Sequence, residues 1–242
     1  MTNGTSQGLF VVVAIIIFGL FIFVSYLLFN DILKPSLSGL FNDSLEQSTD
    51  NLSGVTNPKY LNFSTTNGNG INGLNSSAYN IDGSIKKNLK KLILPNTINS
   101  RDLVTIDFMN SNITGTSTSR FAGVEKIVGN SKLTKVTPIL TYTEIKELDL
   151  SQTQVTDIGQ SFLKDNKTVK KLTLGKQFSN FGYAPFQNSA LEELTLTNIT
   201  PITNLSQGLL NLPSKQITLN APKELEEHLR SYESRFKKVN YY

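Results

Sequence analysis

Cysteine is missing from all 242 residues. Its absence removes disulfides, thiolate metal sites, a cysteine nucleophile and anchoring through a lipid-modified cysteine. Tryptophan is missing too, and histidine occurs once, at His228. A single imidazole cannot assemble the ligands of a zinc site, and no nucleophile motif accompanies it to make it a general base. Its expected place is the solvated flank of a C-terminal helix. Charged residues make up 17% of the chain and balance to +4, which gives no pointer to nucleic acid. Phosphate-binding glycine loops are lacking, because Gly68-Asn-Gly70 and Gly73 have no strand pattern before them and no helix pattern after. The acidic pairs Glu192-Glu193 and Glu226-Glu227 remain as candidate glycosidase carboxylates. Neighbouring strand residues point to opposite faces, so Glu192 and Glu193 are not expected to converge on one substrate. No catalytic, cofactor-binding or metal-binding residue is assigned, and a non-enzymatic protein is expected.

No lysine or arginine precedes the one long apolar run. Residues 9–29, LFVVVAIIIFGLFIFVSYLLF, hold 21 residues without a charge, about 30 Å as a helix and enough for the hydrocarbon core of a bilayer. A cleaved signal peptide has a basic start, a shorter apolar stretch and a small-residue cleavage site. This run instead ends in Tyr26, Leu27, Leu28 and Phe29, so a retained single span follows the tail 1–8. A type IV pilin would carry a basic leader and a glutamate five residues into the helix, and Leu9 to Val13 offers neither. The single flanking Lys34 favours an outside N-terminus. The Asn-, Ser- and Thr-rich, cysteine-free remainder favours the opposite orientation, with the folded domain outside, and that is the one expected.

After the span, Pro35 permits a helix start, and Leu37, Leu40, Phe41 and Leu45 recur at helical spacing. Residues 30–47 are therefore predicted as a juxtamembrane amphipathic segment, with Asp43 and Glu46 on its polar side. Together residues 9–47 offer a surface for self-association. Residues 48–80 are rich in Asn, Ser, Thr and Gly without periodicity, which predicts a linker too poor in apolar surface to fold.

From residue 103 onward a pattern repeats, with apolar residues at positions 1, 4 and usually 6: Leu103/Ile106/Phe108, Val124/Ile127, Ile145/Leu148/Leu150, Val169/Leu172/Leu174, Leu191/Leu194/Leu196 and, more weakly, Ile217/Leu219. Counted from 103, 124, 145, 169, 191 and 214, the steps are 21, 21, 24, 22 and 23 residues. That period marks a leucine-rich repeat, in which each unit supplies one short strand and buries its side chains only by stacking on its neighbours. Leu89/Leu92/Leu94 lies too close to Leu103 for a full turn and is predicted as an N-terminal cap.

Between the strands stand Val155-Thr-Asp-Ile158-Gly159-Gln-Ser161-Phe162, Tyr183-Ala184-Pro185-Phe186 and Leu94-Pro95-Asn96-Thr97-Ile98. These segments resemble the BspA-like leucine-rich repeat family of bacterial surface proteins, in which a strand ends in Leu-Pro, an Ile-Gly turn follows and an Ala-Phe pair plugs the convex side. The resemblance covers about residues 89 to 236. It departs from the family at Ser161, which replaces the usual alanine, and at Gly129, which occupies an apolar strand position. The resemblance implies an α/β-type solenoid of short parallel strands with irregular convex segments, closed by a C-terminal helix. The predicted boundaries are 81–221 for the repeats and 222–242 for the capping helix and a basic tail.

Stacking in register sets Lys146 and Glu147 beside Lys170 and Lys171, then Glu192 and Glu193, then Lys215 and Gln216. A second column runs Asp107, Asp149, Thr173, Thr195 and Thr218. The charges are expected to neutralise one another across strands, at roughly 0.2 to 1 kcal/mol per pair. Together these residues form the candidate binding face, for a protein or a glycan. The chain is thus expected to be a single-pass protein of a bacterial cell membrane that presents this face outside the cell. The alternative is a structural subunit of a membrane-embedded surface or secretion assembly.

Overall fold

The computed structural model describes residues 3–34, 37, 55–65, 68–109, 119–139, 143–213 and 215–242. They fall into two units, divided at Gly54 and Val55.

The first unit is dominated by helix α1 (Asn3–Leu27), continued by a π-helical turn over Leu28–Leu33. The stretch Gly8–Asp31 carries Asp31 as its one charged residue, none of it is buried, and it is long and apolar enough to cross a membrane. Leu9, Phe10, Ile16, Phe18 and Phe23 are all exposed. A helix that is apolar all round needs an apolar environment outside itself. A signal sequence meets the same test of length and composition. Of the amphipathic segment, Leu37 is helical and exposed; Leu40, Phe41 and Leu45 lie outside the described residues, as do residues 48–54 of the predicted linker.

In the second unit the strands are β1 (Leu61–Ser64), β2 (Gly70–Leu74), β3 (Lys91–Ile93), β4 (Thr97–Ile98), β5 (Arg101–Asp102), β6 (Thr105–Ile106), β7 (Lys126–Val128), β8 (Lys135–Val136), β9 (Glu147–Leu150), β10 (Lys171–Leu174), β11 (Glu193–Leu196), β12 (Thr218–Ala221) and β13 (Lys238–Tyr241). Seven of them form the main sheet, in the order β13-β12-β11-β10-β9-β7-β3, with every pair parallel. A smaller sheet runs β1-β2-β6-β8, and β4 pairs with β5. Helix is scarce here: α2 (Leu205–Gly208) and α3 (Glu226–Leu229) have four residues each.

Parallel neighbours require crossovers, and here the crossovers form a ladder of their own. Ser161 N–H donates to Tyr183 O (3.2 Å), Leu163 to Pro185 (2.6 Å) and Asp165 to Gln187 (2.9 Å), while Ala184 donates to Gln207 (3.0 Å). Backbone groups that a loop would leave for water are thus paired inside. Ser161 stands where Ala184 stands one sequence period later, both with left-handed φ, at 58° and 43°. Between sheet and crossovers lie Leu148, Leu150, Leu172, Leu174, Leu194 and Leu196, packed with Phe162, Phe178, Phe181 and Phe186, all buried. Phe178 meets Phe181 at 4.9 Å and Phe181 meets Phe186 at 5.7 Å, both nearly edge-on, the favoured aromatic arrangement. Gly129 departs from the apolar pattern for a steric reason: a Cβ there would lie 2.5 Å from Thr153 Cγ2.

Three sequence expectations are corrected. The stretch read as a linker is folded from residue 55: Tyr60, Leu61, Ile71, Leu74 and Ala78 are buried. Its asparagines build turns and links. Asn75 caps a 3-10 turn by accepting from Ser77 N–H (3.0 Å) and donates to Lys59 O (2.6 Å), and Asn62 bonds Asn72 (2.6 Å). Thr56 covers the edge of β3, its N–H reaching Ile93 O at 2.8 Å and its Oγ1 accepting from Ile93 N–H at 3.0 Å. An end strand that would otherwise invite pairing is blunted this way.

The second correction concerns the first repeat. Leu89/Leu92/Leu94 belongs to the main sheet, where β3 pairs directly with β7, whereas Leu103/Ile106/Phe108 belongs to the smaller sheet. Third, the basic tail is strand β13, with Val239 and Tyr241 packed against the core. Tyr242 Oη donates to Leu196 O at 2.7 Å. The predicted capping helix is one α turn between 3-10 turns at Lys223–Leu225 and Arg230–Arg235, and it buries Leu225 and Leu229, with Phe236 beyond.

Replacing Leu148 or Leu172 by alanine should cost about 2 to 5 kcal/mol in a denaturant titration of the full chain. A loss under about 1 kcal/mol would contradict their place in the core. Ile71→Ala in the supposed linker should fall in the same range, whereas an unfolded linker would register no change.

Candidate binding face

The outward face of the main sheet is set by how each strand begins. Lys90 O accepts from both Glu125 N–H (2.8 Å) and Lys126 N–H (3.1 Å); Glu125 O accepts from Lys146 (2.8 Å) and Glu147 (3.1 Å). Lys146 O does the same for Lys170 (2.7 Å) and Lys171 (3.1 Å), and Lys170 O for Glu192 and Glu193 (2.9 Å each). A carbonyl has two lone pairs and can take both donors. Two successive residues then share one partner, as in a bulge, and strict alternation of side chains is suspended there. Glu192 and Glu193 accordingly line one depression together with Lys171, Lys237, Asn220 and Asn240. The expectation that they point apart is corrected by this geometry.

Each of β7, β9, β10 and β11 therefore contributes two charged positions to the face. In the outer row, Glu125 binds Lys90 at 3.0 Å with one carboxylate oxygen and Lys146 at 2.9 Å with the other, and Lys170 binds Glu192 at 2.7 Å. In the inner row, Lys126 pairs with Glu147 and Lys171 with Glu193, the latter at 3.2 Å. Hydrogen bonds from Lys146 and then Lys90 hold the Glu125 carboxyl below its ordinary range. Glu192 is lowered chiefly by Lys170, and Lys171 is raised chiefly by Glu193. A glycosidase general acid needs the opposite shift, a carboxyl kept protonated near neutrality.

A third row is polar and small. Asp149, Thr173, Thr195 and Asn220 are in register across β9 to β12, with Asn240 next on β13. Asn240 donates to Asn220 at 2.8 Å, and Asn220 donates to Thr195 Oγ1 at 3.3 Å and Glu193 at 3.1 Å.

Most of the predicted face is brought together: Lys146, Glu147, Asp149, Lys170, Lys171, Thr173, Glu192, Glu193 and Thr195 stand where the repeat period places them. Thr218 sits beside Glu193 and not beside Thr195, a shift of two residues in the last unit. Ile217 turns into the core there, and Thr218 N–H alone reaches Glu192 O, at 2.8 Å. Lys215 has left-handed φ and lies outside β12, but it lines a depression with Lys170, Glu192 and Lys237. Asp107 is not on this face: it follows β6 in the smaller sheet, is buried, and its Oδ1 accepts from Thr137 Oγ1 at 3.3 Å.

Glu125, Lys126, Asn220, Lys237, Lys238 and Asn240 were missed. The first two were legible, since they follow Val124 in a recognised segment. His228 is half-buried, its Nε2 placed 2.9 Å from Ile202 O and 3.2 Å from Ile202 N, so this nitrogen makes one hydrogen bond to the Ile202 backbone, as donor or acceptor according to its tautomer, in place of the expected solvated flank. Among the described residues no group of three or more His, Cys, Asp or Glu could hold a metal ion. Compared with protein-family models, curated proteins and solved structures, the chain matches none.

The Glu125 contacts give a pH prediction. A lowered folded-state value means their contribution is full above the unfolded value, about 4.3, and is lost as pH falls through the folded value. In an NMR titration of the full chain Glu125 should have its midpoint below about 4.3, and Lys146→Gln should bring it back up. A midpoint at the ordinary value in the unaltered chain would contradict the bridge.

Proposed function

We propose that this chain is a membrane-anchored leucine-rich repeat protein of the BspA-like kind, a non-catalytic bacterial surface module. It presents the charged face of its repeats to a protein or glycan partner. The observation that carries this reading is the double row of charges held in register across β7, β9, β10 and β11. Strands of one sequence period, stacked parallel and residue for residue, follow the rule by which a repeat solenoid grows. The crossover ladder from Ser161 to Gln207 supports the same reading on the opposite side.

Anchoring rests on α1, whose apolar length exceeds the 7 to 15 residues of a signal-peptide core and whose exposed circumference suits lipid. The orientation follows from composition, with the repeats outside. A broad face of polar and ion-paired side chains, with the Glu192 carboxyl drawn below its ordinary range by Lys170, suits recognition.

Protease shaving of intact cells carrying a C-terminal epitope tests the placement: the epitope should be lost from intact cells, and protection there with loss in lysates would reverse the orientation. Exchanging Lys170 and Glu192 together (K170E with E192K) should leave the unfolding temperature nearly unchanged, because both are exposed partners, while weakening capture of a binding partner from the cell's surroundings. A large drop in unfolding temperature would place them in a buried site instead.

A further inference from the structure

The ion pairs of the face do not balance along its outer row. Lys146 and Lys170 lie on adjacent strands, joined by the 2.7 Å bond from Lys170 N–H to Lys146 O. Lys146 turns back to Glu125 and Lys170 turns forward to Glu192, so these two neighbouring lysines share no ion-paired carboxylate. Like charges directly across a sheet are unfavourable. Lys167 and Thr168 line the same depression, together with Glu125 and Glu144. A second concentration of positive charge lies further along, where Lys215 and Lys237 share a depression with Lys170 and Glu192.

We infer that this face takes an acidic polypeptide segment running across the strands, with one carboxylate seated between Lys146 and Lys170 and another beside Lys215 and Lys237. The inference rests on the reading of the face as a binding surface and names the chemistry of its partner. A carboxylate in the first position completes the charge alternation that the chain itself leaves open. The two positions are about three strand spacings apart, roughly 15 Å, a span that an extended peptide covers in about four or five residues.

A uniform polyanion fits less well, since Glu125 and Glu144 line the first depression and Glu192 the second and would repel the units of it that pass beside them. A peptide spaces its carboxylates and offers N–H donors to those glutamates and polar partners to Asn220 and Asn240. No ring lines either depression among the described residues, so the stacking that often holds a sugar is not provided.

The test uses the full chain in nanodiscs and fluorescence anisotropy. The probes are a labelled glycine-serine peptide with two glutamates four residues apart, its glutamine counterpart and inorganic polyphosphate. The glutamate peptide should bind and the glutamine peptide should not. The double variant K146Q/K170Q should weaken binding by roughly 2- to 30-fold, the range of two exposed ion pairs. Lys237→Gln, which removes no charge pair within the sheet, should weaken it by a smaller factor with the unfolding temperature unchanged. Polyphosphate binding that responds to these lysines while the peptide fails would overturn the polypeptide assignment and leave the face standing as a binding surface. If neither probe binds, or binding ignores all three lysines, both the assignment and the use of this face for charged partners fall.

Discussion

One carbonyl accepting two successive N–H groups at the start of β7, β9, β10 and β11 is the constraint on which the charged face of the main sheet depends. Lys90, Glu125, Lys146 and Lys170 each supply such an oxygen to the next strand. The shared acceptor lets two neighbouring side chains face outward before alternation resumes and sends Leu148, Leu172 or Leu194 into the core. The face therefore carries twice the charge that a regular strand start would present. Where the second bond is missing, at β12, the outer position is Ile217 and the row of charges breaks. Sheet geometry and surface chemistry change at the same residue.

Stability and the proposed recognition are linked through this arrangement. The exposed ion pairs are individually weak, and the main hold on register is the leucine and phenylalanine core between sheet and crossovers. Because the core fixes register, the charges are not needed to hold it, which leaves them available for the partner proposed above, and the Lys146/Lys170 junction costs little that the core cannot offset. The ends are managed separately. Thr56 blunts the edge of β3, while α3 and its flanking turns bury Leu225, Leu229 and Phe236.

The central part of this organisation was legible in the sequence because position 4 and position 6 leucines recur at nearly constant steps from Ile145 to Leu196. The strand-to-strand register of nine residues of the candidate face followed from that period. The N-terminal part was not legible, because the chain there goes to a second sheet: Leu103 and Ile106 fit the repeat pattern but pair with β2 and β8. Composition misled at residues 55–65 and 68–80, where few apolar residues suffice because asparagine side chains bond to backbone and to one another. In the last unit the strand comes two residues later than the pattern predicted, since Ile217 and Leu219 match positions 4 and 6 while Leu219 and Ala221 occupy them. The side-by-side placement of Glu192 and Glu193 needed the shared carbonyl, which side-chain patterns do not report.

The chain has no natural cysteine, so single cysteines placed at Glu192, Glu193 and Leu194 can be read without background. Thiol labelling of the three folded variants tests the shared-carbonyl geometry most directly. The account predicts that positions 192 and 193 both label rapidly while 194 is protected. Protection at 192 together with 194, and labelling at 193 alone, would restore simple alternation and contradict it.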